Sequence, residues 1–291
     1  MTYSILGADI AAGEIGIAVQ SKFPGVGSLV PHAAADAGAI ATQAFANPAH
    51  GRTGLALLGA GASPDEALSI VLRSDEERDK RQLALIDRTG STASYTGEEV
   101  RRWPGWAGAA SGHACSAQGN GLASGDVASA MVTGFEAAKG DLASRLLSAL
   151  AAGEAAGGEL RGQQSAALLI VKADGGYGAH TDRHVDISVY DHLAPIDELA
   201  RCLALHRLSY FPSDPENLIA ITGPLATELK TLLSVKGFFE GPADESWDKP
   251  AITALARFMG WENYDNRIRD DALIDTEVLD DIRKKYGTLS E

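Results

Sequence analysis

The chain has 291 residues, of which 45% are hydrophobic and 22% are charged, proportions that are typical of a globular protein rather than a disordered one. Its net charge of −14 argues against a nucleic-acid partner, because binding to a phosphate backbone requires clustered Lys and Arg. Its two cysteines do not make a disulfide framework, and no stretch reaches the roughly 18 apolar residues of a membrane span. Without a recognisable export signal, we expect a cytoplasmic protein that does not associate with membranes.

The N-terminal residues predict a β-hairpin. An apolar run at residues 1–6 is followed by a turn around Gly13. Beyond it, Ile15, Ile17 and Val19 occupy every second position, which is the pattern of a strand.

Thr2 stands at the start of the first predicted strand. If Met1 is removed, Thr2 carries both a nucleophilic hydroxyl and a free α-amine, whose ordinary pKa of about 8 suits a general base near neutral pH. A threonine activated by its own N-terminal amine is a known nucleophile design. A frayed N-terminal residue without a catalytic role is the alternative, and the pattern alone leaves both open.

Further patterns fill the chain as far as residue 208. They predict strands at residues 38–47, 82–86, 92–95, 165–171 and 185–189. They predict helices at residues 51–61, from 64, from 126, at 141–152 and at 195–208. Residues 102–112 are rich in Gly, Trp and Pro and predict a loop. This order of strands and helices favours a layered α+β domain.

The character of the sequence changes after Tyr210. Residues 211–216 contain two prolines and resemble a linker, and the remainder is mostly helical and polar. We therefore predict two domains, residues 1–210 and residues 211–291.

Several stretches spread over the first 208 residues carry a family resemblance. They are Thr2–Ile5, Gly16–Phe23, Gly38–Ala44, Asn47–Pro48, Gln118–Asn120, Ala156–Leu168 and Asp191–His192. On these stretches, the segment resembles a bacterial family of unknown function that is grouped with the N-terminal-nucleophile (Ntn) hydrolases. The resemblance implies a four-layer αββα sandwich and the hydrolysis of a carbon–nitrogen (amide) bond, and it identifies no substrate.

The remainder of the chain carries a second resemblance. Its carriers are Leu225, Leu229, Leu232 and Leu233 on one helix face, followed by Gly237–Phe239, Gly241–Glu245, Trp247 and Ala254–Phe258. They are similar to a peptidoglycan-binding-like domain, which implies a small three-helix module. Because the sequence shows no export signal, we expect the aromatic residues of this module to pack a small core and an interface rather than to bind the cell wall.

The resemblance implies a catalytic pair of Thr2 and Lys22. Lys22 ends the second predicted strand, from which its ammonium could point at Thr2, lower the pKa of a nearby amine and stabilise an oxyanion. A solvated lysine at the end of a strand is the alternative.

Further polar residues are candidates for holding the substrate or its oxyanion. They are Ser21, Gln43, Asn47, Gln118, Asn120, Arg161 and Gln164. Side-chain amides near strand ends can complete an oxyanion hole, and an arginine can clamp a carboxylate through its planar fork. Helix caps, turn residues and a surface ion pair are the corresponding alternatives.

Two other groups suggest chemistry but are better explained without it. His180, Asp182, His184 and Asp186 share one face of an extended segment, yet the glycines beside them indicate a loop, and we expect no metal site. Cys115 lies near His113, but buried cysteines are usually small hydrophobic residues rather than nucleophiles.

The sequence therefore predicts an amide hydrolase that acts on a small substrate, requires no cofactor and forms a homo-oligomer. The principal alternative is a non-catalytic binding or assembly protein with the same fold, which uses the C-terminal domain for recognition. A metal-dependent hydrolase built on residues 180–192 is a third possibility.

Overall fold

The computed structural model describes residues 1–287 and divides the chain into two compact units. The first is Met1–Cys202 and the second begins at Leu203, inside the helix Pro195–Tyr210. The predicted domain boundary at residue 210 remains a prediction. Within residues 1–287, no helix combines the length and the hydropathy that crossing a bilayer requires.

The first unit contains ten strands, five helices and the start of a sixth helix among its described residues. The strands are β1 (Thr2–Asp9), β2 (Glu14–Ser21), β3 (Pro31–Ala34), β4 (Gly38–Ala44), β5 (Arg81–Asp87), β6 (Thr92–Thr96), β7 (Trp106–Gly112), β8 (Cys115–Leu122), β9 (Ser165–Lys172) and β10 (Arg183–Val189). The helices are α1 (Pro48–Gly59), α2 (Pro64–Arg73), α3 (Glu98–Arg101), α4 (Asp126–Ala137), α5 (Leu142–Ala155) and α6 (Pro195–Tyr210).

These strands form two antiparallel sheets whose inner faces contact each other. The six-stranded sheet has the order β10-β9-β2-β1-β8-β7, and the four-stranded sheet has the order β3-β4-β5-β6. Helices α4 and α5 cover the outer face of the larger sheet, and α1 and α2 cover that of the smaller one. The structure confirms the α+β class and the predicted N-terminal hairpin, in which β1 pairs with β2.

The layer between the sheets changes from apolar to polar along the strands. At one end, inward positions carry apolar residues such as Leu6, Ile17 and Ile86, which belong to one buried cluster. Toward the other end, the same alternating positions carry buried polar residues. These are Thr2 and Ser4 on β1, Ser21 on β2, Gln43 on β4, Gln82 on β5, and Gln118 and Asn120 on β8. The strand alternation therefore gathers the polar side chains at one end of the sandwich.

The predicted loop at residues 102–112 is wrong in part, because Trp106–Gly112 is β7 and pairs with β8. Its run of Gly, Ala and Ser lacks the β-branched residues that usually mark a strand. The segment is a strand because tertiary pairing overrides this weak propensity.

The first helix also begins earlier than predicted. Strand β4 ends at Ala44, which has a φ of 70°, and Asn47 then caps α1 by accepting a hydrogen bond from the Ala49 backbone N–H. Pro48 occupies the first position of the helix, where its missing N–H costs nothing.

The second unit is a small helical body with two short paired strands. It contains β11 (Leu218–Ala220), α7 (Pro224–Val235), α8 (Lys249–Trp261), β12 (Leu273–Asp275) and α9 (Thr276–Tyr286). Phe239 and Phe258 are buried in its core, and Phe238 and Trp247 pack against that core. The predicted core is confirmed, whereas the predicted interface remains a prediction.

Candidate functional site

Thr2 lies at the polar end of the sandwich on β1, one of the two central strands of the larger sheet. It is paired with Ser21 of β2 on one side and with Asn120 of β8 on the other. Only 6% of Thr2 is exposed, and its Oγ1 lies 2.9 Å from the Ser21 Oγ. The register of the hairpin thus brings the two hydroxyls together.

The carbonyl oxygen of Met1 accepts two hydrogen bonds in this site. The Ser21 hydroxyl donates one over 2.8 Å, and the Arg161 Nη2 donates the other over 3.2 Å. A serine has a single hydroxyl proton, so the Thr2 hydroxyl must donate to the Ser21 Oγ. The result is a directed chain from Thr2 through Ser21 to Met1, with two donors converging on one oxygen atom.

A buried carboxylate orients Arg161. The Glu159 side chain is fully buried and accepts hydrogen bonds from the Arg161 Nε over 2.6 Å and from the Lys22 backbone N–H over 2.8 Å. Burial raises the pKa of the Glu159 carboxyl, and these hydrogen bonds oppose that effect. Because Glu159 holds Arg161 through Nε, the terminal nitrogens of the guanidinium remain directed elsewhere.

The α-amine at the start of the chain is also partly buried. Burial lowers the pKa of the Met1 amine below its ordinary value of 8.0; Glu159 opposes this shift and Arg161 adds to it. This part of the molecule therefore favours a neutral amine, which is the form that can accept a proton.

A cavity of about 390 Å³ opens beside Thr2. This volume lies at the small end of the usual range for ligand pockets. Its polar lining comes from Thr2, Ser21, Gln43, Arg81 and Arg161. Its apolar lining includes Phe23, Val26, Leu29, Val30 and Phe45.

A buried network of side-chain amides lies behind the cavity. The Gln82 Oε1 accepts hydrogen bonds from the Gln43 Nε2 and the Asn120 Nδ2, each over 2.8 Å. The Gln43 Oε1 accepts a third from the Ser4 hydroxyl over 2.8 Å, and the Gln118 Nε2 reaches the Ala41 carbonyl oxygen over 3.2 Å. The network links the two sheets directly beneath Thr2.

The structure brings together four of the predicted site residues, Thr2, Ser21, Gln43 and Arg161, as lining of one cavity. Gln118 and Asn120 are fully buried in the amide network instead. Asn47 is the N-cap of α1, and the Gln164 Nε2 donates to the Asp191 carboxylate over 3.0 Å. These last two side chains are occupied by local structure.

Lys22 is not oriented as the sequence suggested. Its side chain is exposed, and its Nζ donates to the Gln163 carbonyl oxygen over 3.0 Å. The reason is strand alternation: Ser21 faces the inner layer, so the next side chain points away from it. Only the Lys22 backbone N–H contacts the site, through Glu159.

Sequence reasoning missed Glu159, Gln82 and Arg81. Glu159 stands two residues before Arg161 inside the stretch that carries the family resemblance, which is a usable signal. Gln82 is found through the sheet register, because it pairs with Gln43 across β4 and β5. That register is not visible in the sequence.

The two other candidate chemistries find little support in the geometry. Cys115 is fully buried, and burial raises the pKa of its thiol to about 11, with a further contribution from Glu136. The part of the chain from residue 1 to 287 contains no group of three or more His, Cys, Asp or Glu side chains that could hold a metal ion.

Comparisons with known proteins match each part of the chain to a family. Residues 2–199 match the family described as a family of unknown function, DUF1028, and residues 210–280 match a family described as a putative peptidoglycan binding domain. A crystal structure from Silicibacter pomeroyi, of a protein assigned to DUF1028, is 31% identical and superposes with a TM-score of 0.64. The alignment covers 71% of this chain and 89% of that one. None of the curated proteins matches.

Proposed function

Because the chain belongs to the family of unknown function DUF1028, we propose a function from the chemistry of its site: hydrolysis of a carbon–nitrogen bond in a small amide, with Thr2 as an N-terminal nucleophile. The layered arrangement of two helix pairs around two facing sheets is the one expected of an Ntn-type αββα sandwich. The observation that carries the proposal is the position of Thr2. Thr2 lines the cavity, its hydroxyl is hydrogen-bonded to Ser21, and two hydrogen-bond donors converge on the carbonyl oxygen immediately before it.

The proposed reaction requires removal of Met1. The Thr2 amine is then free and lies one residue beyond the Met1 amine, whose pKa is lowered by burial, with Glu159 opposing this shift and Arg161 adding to it. A lowered pKa leaves more of the amine neutral at pH 7, so that it can take the proton from the Thr2 Oγ1 directly or through a water.

The Thr2 Oγ1 attacks the amide carbonyl carbon and forms a tetrahedral intermediate. The Ser21 hydroxyl, released from the Met1 carbonyl, donates to the oxyanion, and the Arg161 guanidinium lies beside it as a fixed positive charge. The protonated amine of Thr2 then gives its proton to the leaving nitrogen. Water hydrolyses the remaining ester, with the same amine as base, and regenerates Thr2.

Lys22 has no part in this mechanism, because its ammonium contacts Gln163 rather than the cavity. Arg161 supplies the positive charge that the sequence assigned to Lys22. The two residues are therefore a matched pair for mutation, one at the site and one outside it.

A matched set of proteins tests the proposal against a library of small amides. Protein shown by intact mass to lack Met1 is expected to be active, whereas Thr2→Ala and a form that retains Met1 are expected to be inactive. We expect Ser21→Ala to reduce the rate by roughly 10²–10³, the typical cost of losing one oxyanion donor. Lys22→Ala should leave it nearly unchanged. Equal activity of the trimmed and Met1-retaining forms would exclude the mechanism.

The alternative is a non-catalytic binding protein with the same fold. The observation that favours it is that the Met1 carbonyl oxygen accepts hydrogen bonds from both Ser21 and Arg161, and that the Met1–Thr2 peptide bond blocks the Thr2 amine. Protein that keeps Met1 when isolated from its native source, and shows no turnover after trimming, would support this alternative.

For the second unit, we propose that its aromatic residues serve packing and an interface rather than wall binding. Phe239 and Phe258 are buried in its core and are not exposed for binding. Saturable retention of the full chain on purified sacculi at physiological salt, lost on deletion of residues 211–291, would show instead that the unit binds peptidoglycan.

A further inference from the structure

The lining of the cavity beside Thr2 offers cationic hydrogen-bond donors. Among the described residues, those that line it include Arg81 and Arg161 but no Asp or Glu, although the chain as a whole carries a net charge of −14. Carboxylates behind the lining pair with both arginines, so an anionic ligand would be held by direct hydrogen bonds to a guanidinium rather than by the net charge of the cavity. The two arginines differ, however, in how far their donors are already used.

Arg81 is largely engaged by protein groups. Its Nε donates to the Asp75 carboxylate over 2.8 Å, its Nη2 to Glu77 over 2.9 Å, and its Nη1 to the Phe45 carbonyl oxygen over 2.9 Å. This guanidinium therefore holds the cavity wall at Phe45 and has little capacity left for a ligand.

Arg161 is available to a ligand. Its side chain is 45% exposed, and it uses Nε for Glu159 and Nη2 for the Met1 carbonyl oxygen. A guanidinium has five N–H donors, so Arg161 retains donors while Met1 is present and gains another when Met1 leaves. Its orientation is fixed by the buried Glu159, so the fork is ordered before a ligand arrives.

Part of the cavity wall is apolar and firmly held. Val26 and Val30 are buried; the Val26 N–H donates to the Ser165 hydroxyl, and the Val30 carbonyl oxygen accepts from the Thr42 N–H. Val26 and Val30 line the same cavity as Thr2 and Ser21.

The rim of the cavity is aromatic. Phe23 and Phe45 are 51% and 58% exposed, and the ring of Phe45 packs edge-on against Trp103. The backbone of Phe45 is fixed at both ends, because its N–H donates to the Lys80 carbonyl oxygen and its own carbonyl oxygen is held by Arg81. An apolar group entering the cavity would contact these two rings.

From these features we infer that the substrate is an N-acylated amino acid or a short peptide, with an apolar side chain and a free carboxylate close to the amide. This inference rests on the proposed amide hydrolysis. The carboxylate pairs with Arg161, the amide carbonyl lies between Thr2 and Ser21, and the apolar side chain packs against Val26 and the aromatic rim. The donors of Arg161 and Ser21 lie close together, because both reach the Met1 carbonyl oxygen. A carboxylate one carbon from the amide nitrogen can therefore pair with Arg161 while the amide carbonyl lies beside Ser21.

Binding of matched probes tests this inference without requiring turnover. The protein is the full chain with Thr2→Ala and without Met1, titrated by calorimetry at pH 7. The probes are N-acetylleucine, which has both features, N-acetylleucinamide, which lacks the charge, and N-acetylglycine, which lacks the apolar side chain. We expect N-acetylleucine to bind at least tenfold more tightly than either of the others.

Two substitutions separate the contributions. Arg161→Gln should weaken N-acetylleucine about 10–100-fold, the range of a lost charged hydrogen bond, and leave N-acetylleucinamide unchanged. Arg88→Gln, which removes an exposed arginine outside the cavity lining, is the control and should change neither. Phe45→Ala should weaken both leucine probes but not N-acetylglycine.

The possible failures are distinguishable. Equal affinity for N-acetylleucine and its amide, or no saturable binding of N-acetylleucine, would overturn the substrate class. If the trimmed protein nevertheless hydrolyses an uncharged amide through Thr2, the proposed function stands and only this inference falls. Tight binding of N-acetylleucine that depends on Arg161 supports the substrate class. If Thr2→Ala leaves turnover unchanged, the proposed role of Thr2 is wrong, whatever the binding result.

Discussion

The amide network beneath Thr2 should make a large contribution to the stability of the first unit, and Gln82→Leu tests this. Gln82 is fully buried, and its Oε1 accepts from both Gln43 and Asn120. Leucine has a similar volume but accepts no hydrogen bond. The substitution therefore deprives two buried donors of their acceptor without opening a large cavity.

The expected loss follows from those two donors. A buried polar group left without a partner costs about 1–3 kcal/mol, so the free energy of unfolding should fall by about 2–6 kcal/mol. The Gln43 Nε2 retains only a long contact of 3.4 Å with the Thr2 carbonyl oxygen, which offers little compensation. The Gln82 Nε2 also leaves the Gly119 carbonyl oxygen, 2.8 Å away, so the upper part of the range is expected.

Urea denaturation read by pulsed hydrogen exchange and mass spectrometry measures this loss within the first unit, through peptides from β4, β5 and β8. Gln164→Leu is the control, because it removes a partly exposed amide and should change the free energy by no more than about 0.5 kcal/mol. A Gln82→Leu protein destabilised by less than about 1 kcal/mol would refute the view that the network is tightly coupled.

Three further predictions concern other parts of the chain. Cys115 should resist iodoacetamide at pH 7 in the native protein, because its thiol is buried and its pKa is raised to about 11; rapid labelling, located by mass spectrometry, would contradict its burial. Burial lowers the pKa of His50, so below about pH 6.5 the unfolded chain binds a proton at this residue more readily than the native chain does. The free energy of unfolding should therefore fall as the pH drops below about 6.5. His50→Gln should flatten that part of the urea midpoint profile, and an unchanged slope would show that His50 is not its source. Limited proteolysis should cut first within residues 211–216, which contain two prolines, and an earlier cut inside residues 1–200 would argue against a boundary there.

Much of the fold could be predicted from local patterns. The hairpin of β1 and β2 follows from Ile15, Ile17 and Val19, because one face of each strand meets an apolar layer. Strands β7 and β8 were not predictable in the same way. Ser116, Gln118 and Asn120 look like loop residues, yet they face the inner layer, where Gln118 and Asn120 find amide and carbonyl partners in the other sheet. Such partners become visible only once the sheets are paired.

The candidate site could likewise be predicted only in part from the sequence. Thr2 and Ser21 could be proposed from the start of one strand and the end of the next, since an antiparallel hairpin places these positions opposite each other. Lys22 could not be placed correctly without the exact end of β2, because a shift of one residue reverses the direction of a side chain. Glu159 lies far away in sequence, and its role becomes clear only from its contacts with Lys22 and Arg161.

The central claim is that the Thr2 hydroxyl, freed of Met1, is the nucleophile. Acylation by p-nitrophenyl acetate, which carries the same acyl group as N-acetylleucine, tests it directly, because release of nitrophenol reports the attack and tandem mass spectrometry locates the acyl group. We predict a rapid burst in the trimmed protein, with the acyl group on the Thr2 Oγ1, and no burst in the Thr2→Ala or Met1-retaining forms. A burst of equal size in Thr2→Ala, or an acyl group located on another residue, would contradict it.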